Sequence, residues 1–327
     1  MGCKNLEIIT LTQKRYVKRN RLTALLLPAA CMLAFVASAQ QDPQFSQYMF
    51  SRLPMNAAYA GANEAICGSL LYRNQWTGFG GEPKTSLFSF DIPAEALHGG
   101  VGLSVYASDQ LGNQKNMNIR GAYAFRKYLS NGSIAVGIDA GYHQLSPRNE
   151  TWIANDNPAN DPNIPGADGS GGTLDLGFGL YYQSDKLYVG VSSTHISEGE
   201  IDYANVRTSL ARHYWLMAGY SAELSPSLTL KPALLVKSDA ISTQLDVNAN
   251  LLINNRFWVG GGYRLQDAIV IMAGLEVIPN LKLGYSYDYT TSNIRTYSSG
   301  THEIMLGYCF MTPKKVKRTF HRNVRML

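Results

Sequence analysis

Six histidines are the residues best suited to bind a metal or move a proton, and they are scattered along the chain. They are His98, His143, His195, His213, His302 and His321. Zinc sites place their ligands at short, regular intervals, and these histidines do not. The sequence also lacks a nucleophile elbow, a P-loop and a dinucleotide-binding fingerprint. We therefore expect no enzyme activity, no catalytic residues, no bound metal and no cofactor.

One loop has enough acidic side chains to bind calcium. Residues 155–163 read Asn-Asp-Asn-Pro-Ala-Asn-Asp-Pro-Asn, and Asp156, Asp161 and Asp168 could supply carboxylate oxygens. The ligand order of an EF-hand and its terminal Glu are absent. A solvated loop is the alternative, and the Asn, Asp, Pro and Gly content favours it.

From residue 64 to residue 310 the chain alternates apolar and non-apolar side chains in short stretches separated by turns. In one stretch Phe257, Val259, Tyr263 and Leu265 share a face, and a period of two is typical of a β-strand. Such stretches behind an export signal predict an all-β fold, a transmembrane antiparallel β-barrel of about 14 strands. The predicted strands are 65–76, 84–92, 100–108, 116–127, 133–144, 173–183, 186–195, 213–222, 228–237, 243–253, 256–265, 268–278, 281–289 and 301–310. A count of 12 or 16 stays open if 84–92 or 268–278 is misassigned.

The connections between the predicted strands differ in length according to their position. Even-numbered connections include the tight turns 130–132, 184–185 and 279–280, whereas the longest, 145–172 and 196–212, are odd-numbered. Outer-membrane barrels have short periplasmic turns and longer external loops. We therefore expect the odd-numbered connections to be external and the barrel to begin and end in the periplasm.

The two faces of the predicted strands carry different side chains. The apolar face, which we expect to contact lipid, includes Met117, Ile119, Tyr123, Phe125, Ile134, Val136, Ile138, Tyr142, Leu174, Leu176, Phe178, Leu180, Ile304, Leu306, Tyr308 and Phe310. The other face carries charges of both signs: Arg73, Asp91, Arg120, Arg126, Asp139, Asp175, Lys231, Asp246, Arg264, Glu276, Lys282, Asp288 and Glu303. A charge facing lipid near mid-bilayer costs about 2–4 kcal/mol, so these side chains should point into the lumen and pair there. For some of them, solvation at a strand end is the alternative.

Two cysteines remain after the signal peptide is removed. Cys67 lies early in the first predicted strand and Cys309 late in the last, and barrel closure pairs these strands antiparallel. Both positions lie on the non-lipid face near the periplasmic end. We therefore predict a disulfide across the closing seam, with two buried thiols as the alternative.

Residues 1–39 have the composition of a signal peptide. Basic residues precede an apolar stretch at 22–36, and Ala37, Ser38 and Ala39 form a cleavage site. Lipoprotein processing at Cys31 is the alternative, although Pro28 stands where a large aliphatic residue is preferred. The mature chain is expected to begin with a periplasmic or plug segment at 40–63, followed by the outer-membrane barrel at 64–310 and a basic periplasmic tail at 311–327.

The net charge of +5 comes from the signal peptide, because the mature chain has as many acids as bases. Six bases and no acid lie in residues 311–327, so the rest of the mature chain is mildly acidic. Lys314, Lys315, Lys317 and Arg318 are therefore candidates for docking on an acidic periplasmic partner. A disordered tail that increases solubility is the alternative.

Residues 40–63 do not alternate, and they are too apolar for a free tail. They contain Asp42-Pro-Gln-Phe-Ser-Gln-Tyr48 and Asn56-Ala-Ala-Tyr-Ala-Gly61, and Tyr72-Arg-Asn-Gln-Trp76 follows. These motifs resemble the opening of the PorP/SprF family, the outer-membrane proteins of type IX secretion and gliding. The matching residues are Asp42, Pro43, Gln44, Phe45, Ser46, Gln47, Tyr48, Tyr59 and Gly61 in the segment, and Arg73, Gln75, Trp76, His302 and Glu303 in the barrel. Ala57 departs from the pattern, since the family has Pro there.

The resemblance implies a fourteen-stranded barrel similar to fatty-acid-transporter-like barrels. From its apolar content and the barrel topology, we expect the segment at 40–63 to begin on the periplasmic side and to tuck into the barrel as a plug. It implies partners among the type IX translocon, the periplasmic ring proteins and the C-terminal domain of a secreted cargo, with outer-membrane lipid around the barrel and no nucleic acid. We expect external loops 145–172 and 196–212 to bind cargo or translocon.

Two other functions stay open. One is a passive outer-membrane transporter or porin for small solutes, which requires a gated path through the lumen. The other is a purely structural barrel, which sequence does not separate from a secretion component. Paired lumen charges and a plug argue against an open pore.

Overall fold

The computed structural model describes residues 42–78, 80–110, 114–147, 169–203 and 206–310. Its strands are β1 Ile66–Asn74, β2 Lys84–Ala94, β3 Gly99–Gln110, β4 Gln114–Leu129, β5 Gly132–Pro147, β6 Gly171–Gln183, β7 Leu187–Thr194, β8 Glu200–Tyr203, β9 Val206–Ser209, β10 His213–Tyr220, β11 Ala222–Ser225, β12 Leu228–Ser238, β13 Thr243–Ile253, β14 Phe257–Arg264, β15 Ala268–Ile278, β16 Leu281–Thr290 and β17 Thr301–Phe310. Single 3₁₀ turns occur at Tyr48–Phe50, Ala57–Tyr59, Glu95–Leu97 and Asn293–Thr296. In these ranges no helix has the length and apolar character to cross a membrane.

The strands pair with their neighbours in sequence to form one antiparallel sheet that closes on itself. β1 pairs with β17 from Ile66↔Phe310 to Asn74↔His302. β10 and β11 both pair with β12, so they occupy one strand position. The described residues therefore form a closed barrel of fourteen strand positions, as predicted.

The differences from the predicted strands are local. β4 and β5 each have 16 residues and are longer than predicted. The eighth position is interrupted at Ser221, between β10 and β11. Connection 196–212, which we expected to be a loop, contains the hairpin β8–β9. Its Ile201 packs with Leu145 and Leu210, so apolar burial forms the hairpin against the barrel rim.

The barrel has two different ends, named here by their connections. The short-turn end carries the connections 95–98, 130–131, 184–186, 226–227, 254–256 and 279–280. The long-loop end carries the others, including 195–212 with its hairpin. Because outer-membrane barrels keep short turns in the periplasm, the long-loop end is external.

The outer surface of the barrel is apolar, and its lumen is polar. Of the residues predicted to face lipid, all but the half-buried Tyr123 are exposed. Of the charges assigned to the other face, ten are buried: Arg73, Asp91, Arg120, Arg126, Asp139, Asp175, Asp246, Arg264, Asp288 and Glu303. Lys231, Glu276 and Lys282 are not buried, and they line a cavity at the short-turn end, where solvent reaches them.

A disulfide joins Cys67 and Cys309 across the pair formed by β1 and β17. The two residues face each other in the register of this pair, which is the seam where the first and last barrel strands meet. The bond spans 242 residues of sequence and therefore links the ends of the barrel chain.

We expect the variant Cys67→Ser/Cys309→Ser to fold but to unfold at lower denaturant concentration. In the chain-entropy account, a bond closing so long a loop is worth about 4–5 kcal/mol, since it restricts the unfolded chain. Urea titration read by the gel mobility of unheated protein measures the loss, and reduced wild type is the matched control. Alkylation of both thiols in unreduced native protein would contradict the assignment.

Candidate functional site

Residues 42–63, hereafter the plug, lie inside the barrel and fill much of its lumen. Tyr48, Ala58 and Tyr59 are buried against side chains that the strands direct inward. The plug folds through two 3₁₀ turns, and the Asn56 side chain caps the second by accepting the Ala58 N–H at 2.9 Å. Short turns suit this sequence because its apolar residues have neither strand nor helix periodicity.

The plug runs from the long-loop end to the short-turn end. Asp42 contacts His195, which follows the outer end of β7, at 2.9 Å. The Gly61 N–H donates to Asp91, near the short-turn end of β2, at 2.9 Å. The prediction that the segment begins on the periplasmic side is therefore wrong for the described residues. The lumen groups that bind Asp42 and Ser46 lie in the outer half of the barrel. The sequence alone does not show how far along the barrel axis these groups lie.

Ser46 and Gln47 are held by buried, ion-paired side chains that we call the seam network. Its members are Arg73, Asp246, Arg264, Asp288 and Glu303. The Ser46 hydroxyl donates to Asp288 at 2.8 Å. Glu303 accepts the backbone N–H groups of Ser46 and Gln47, both at 2.8 Å. Each plug donor therefore meets a carboxylate, which makes these hydrogen bonds charge-assisted.

The arginines balance the acids of the seam network. Arg73 pairs with Asp288 at 2.8 Å and with Glu303 at 3.1 Å, and Arg264 pairs with Asp288 at 2.9 Å. Both guanidinium groups also donate to the Ser46 hydroxyl, each at 3.0 Å. Because Arg73 and Glu303 are register partners on β1 and β17, the plug is anchored at the seam that closes the barrel.

Some residues of the family motifs contact the seam network or pack near it, and others lie apart from it. Gln44 donates to Asp246 at 2.8 Å, and Phe45 packs in an apolar cluster with Leu71, Leu87, Tyr106, Trp258 and Met305. Pro43 is half-buried beside them. Gln75, Trp76 and His302 do not join the seam network. Gln75 and Trp76 follow β1 at the long-loop end, and His302 faces outward with Tyr285.

Three histidines that are far apart in sequence meet in the outer half of the lumen, and we call them the histidine cluster. The ring of His195 lies 5.5 Å from that of His143 and 5.7 Å from that of His213, between centroids. His195 contacts Asp42 through Nε2 and Asp175 through Nδ1, both at 2.9 Å. The spacing of these histidines along the chain does not reveal the cluster, and the one sequence signal for it is that the positions of His143 and His213 have inward parity.

The contact between Asp42 and His195 has a clear electrostatic basis, and neither residue belongs to a strand. Burial alone lowers the pKa of His195, but the carboxylates of Asp42 and Asp175 outweigh it and raise this pKa to about 10. Burial raises the pKa of Asp42, whereas the charge and hydrogen bond of His195 bring it well below its usual range. The imidazolium therefore lies between two carboxylates at neutral pH.

The inner half of the plug is held by two arginines. Arg52, on the plug, donates to the Tyr181 hydroxyl at 2.8 Å, and its guanidinium lies 3.7 Å from the centroid of the Tyr188 ring. Arg126, on β4, donates to the carbonyls of Ala58 and Ala60, both at 3.1 Å. These contacts fix the plug where its chain turns toward β1.

A cavity of about 460 Å³ opens at the short-turn end. The plug residues Phe50, Arg52 and Tyr59 form part of its lining, together with barrel residues that include Tyr188 and Trp258. The cavity combines aromatic surface with charges of both signs, in which cations outnumber acids, and this combination suits a small amphiphilic anion.

Several predicted features lie outside the described residues. They are the signal peptide at 1–39, the acidic loop with Asp156, Asp161 and Asp168, and the basic tail with Lys314, Lys315, Lys317 and Arg318. These stay predictions.

Comparison with solved structures finds outer-membrane barrels of low sequence identity. CymD, a monoaromatic hydrocarbon channel, has 12% identity over 83% of this chain and 94% of its own, with a TM-score of 0.49. Omp33 of Acinetobacter baumannii has 9% identity over 75% of this chain and 95% of its own, with a TM-score of 0.41. The translocator domain of the autotransporter NalP from Neisseria meningitidis has 13% identity over 81% and 95%, with a TM-score of 0.41.

Comparison with protein families gives a direct match. Among curated proteins no sequence matches this chain. Residues 37–308 match the family described as type IX secretion system membrane protein PorP/SprF. The match includes the plug, the seam network and nearly all of the barrel. The chain therefore belongs to the PorP/SprF family of type IX secretion system membrane proteins.

Proposed function

We propose that this outer-membrane barrel is a non-enzymatic docking platform, which binds a secreted cargo or a translocon subunit at its long-loop end. The family match supports a role in type IX secretion. The observation that carries the platform proposal is the anchoring of the plug by the seam network. The charge-assisted hydrogen bonds of the network hold the plug inside the lumen, so we infer that the outer surfaces of the barrel do the binding.

The histidine cluster supports a non-enzymatic function. A catalytic histidine needs one ring nitrogen free to exchange a proton with a nucleophile or substrate. Both nitrogens of His195 are instead engaged by the carboxylates of Asp42 and Asp175. His195 therefore has no ring nitrogen available to a nucleophile, because the plug residue Asp42 occupies Nε2.

The hairpin β8–β9 is the proposed docking surface. Burial of Ile201 and Leu210 fastens it to the barrel rim, while Glu200, Asp202 and Arg207 are well exposed. In the described part of the chain, these two strands pair only with each other, and β8 packs against β6, so β9 is the strand that keeps a backbone edge for a partner strand. A fixed hairpin with a free edge costs little conformational entropy on binding.

Charge reversal on this hairpin tests the proposal. We expect Glu200→Lys/Asp202→Lys to reduce recovery of cargo or translocon about tenfold, which corresponds to roughly 1.4 kcal/mol. The measurement is affinity purification from detergent-solubilised outer membrane, quantified by mass spectrometry. The matched control is Glu95→Lys/Asp185→Lys, which makes the same charge change in exposed turns at the short-turn end.

The two ways in which this experiment could fail have different meanings. Equal recovery with the hairpin and control variants would remove the hairpin as the docking surface. Wild-type protein that recovers neither a secreted protein nor a secretion component would overturn the platform function itself.

The cavity at the short-turn end favours a second candidate, a passive transporter for small solutes. Its volume of about 460 Å³ lies within the usual range of ligand pockets. Wild-type protein in planar bilayers distinguishes the two functions. Steady conductance or solute-dependent channel block would favour the transporter, and a closed baseline would favour the platform.

A further inference from the structure

Three side chains converge where the plug meets the outer ends of β7 and β10. They are Asp42 of the plug, His195 directly after β7 and His213 at the start of β10. One ligand atom of each lies within 4.8 Å of the others. Asp42 Oδ1 and His195 Nε2 are 2.9 Å apart, and His213 Nε2 lies 3.5 Å from the backbone nitrogen of Asp42.

The second nitrogen of each imidazole is held by an acceptor. His195 Nδ1 is 2.9 Å from Asp175, and His213 Nδ1 is 2.9 Å from the carbonyl of Ala211. A carbonyl only accepts, so His213 carries its proton on Nδ1 and keeps a lone pair on Nε2. Histidines that bind metals usually donate their other N–H to a carboxylate or a backbone carbonyl, as both do here.

We propose that Asp42, His195 and His213 form a binding site for a divalent transition-metal ion of the zinc type, which fastens the outer end of the plug to the barrel. Two imidazoles and one carboxylate are ligands that Zn²⁺ prefers, whereas Ca²⁺ and Mg²⁺ prefer oxygen ligands alone. The ion takes the place of the proton between His195 and Asp42, and that proton passes to solvent.

The surroundings support an ion at this place. The Asp42 side chain keeps 10% of its surface exposed, whereas His195 keeps 2%, so the carboxylate is the accessible ligand. His143, whose ring is next to that of His195, is buried, and its Nε2 has no hydrogen-bond partner in the described residues. This nitrogen lies beside the proposed site, so the cluster contains a buried polar atom that can form one further bond.

The test uses the full chain, purified from outer membrane without a polyhistidine tag. After dialysis against Zn²⁺ and then buffer, we expect about one zinc ion per chain by plasma mass spectrometry. Co²⁺ in its place should show the visible absorption of a cobalt ion with nitrogen and oxygen ligands. Bound Zn²⁺ should also slow cleavage by trypsin after Arg52, because it holds the plug.

His213→Gln and Asp42→Asn should each lose the zinc, the cobalt spectrum and the protection. The matched control is His98→Asn in an exposed turn at the other end, which should retain all three. Heat-dependent gel mobility verifies that each variant forms a barrel. Wild type that retains no more zinc than His213→Gln, or a His213→Gln variant with an unchanged cobalt spectrum, would overturn the proposal.

Discussion

Glu303→Ala is expected to release the outer half of the plug and to destabilise the protein by about 3–5 kcal/mol. Glu303 is fully buried, pairs with Arg73, and accepts the backbone N–H groups of Ser46 and Gln47. Without it, two buried donors have no acceptor, and one of the two acids that balance Arg73 is gone. An unmatched buried charge costs more than the lost hydrogen bonds themselves.

Trypsin provides a local readout of this effect, because Arg52 lies within the plug. In wild type its guanidinium is engaged by Tyr181 and Tyr188, so we expect cleavage after Arg52 to be slow. In Glu303→Ala we expect cleavage to be much faster while the barrel keeps its heat-dependent gel mobility. Urea titration of the same samples measures the loss of stability.

Glu95→Ala removes an equivalent carboxylate from an exposed turn and should change neither readout. Glu303→Gln keeps one acceptor and should fall between the control and the alanine variant. Wild-type protection of Arg52 in Glu303→Ala would contradict the view that the seam network holds the plug.

Gly137→Val is expected to displace the inner part of the plug and to open the lumen. Gly137 lies on β5 and faces inward, and a Cβ at this position would collide with the backbone of Ala57 and Ala58. The second 3₁₀ turn of the plug rests directly on this glycine, so a branched side chain leaves it no room. Overpacking usually costs about 1–3 kcal/mol, and the contacts of Asn56 with Leu180 are put at risk as well.

Conductance in planar bilayers measures the expected opening. We expect larger and more frequent openings for Gly137→Val than for wild type, together with faster trypsin cleavage after Arg52. Gly121→Val is the matched control, since it lies on the adjacent strand β4, faces outward and meets its nearest atom at 3.9 Å. Wild-type conductance and protection in Gly137→Val would mean that the plug does not depend on this contact.

The barrel itself could be predicted from the sequence because its signals are local. Alternation along a strand such as β14 reports which side chains face lipid, and connection length reports which end is external. The break at Ser221 and the hairpin β8–β9 were not predicted. A strand interruption does not alter the alternation on either side of it. The hairpin depends on the packing of Ile201 against Leu145, which is far away in the sequence.

The sequence also determined which residues are unusual, through the motifs that interrupt the alternation and resemble the PorP/SprF family. Only the tertiary structure decided which of them meet: Ser46 with Glu303, 257 residues apart, and Asp42 with His195, 153 residues apart. The physical reason is that contacts across a lumen depend on the position of each strand around the barrel and on the stagger between strands. A period of two specifies whether a side chain points to the lumen or to the lipid. It specifies neither the position of that side chain along the barrel axis nor the group on the opposite side of the lumen.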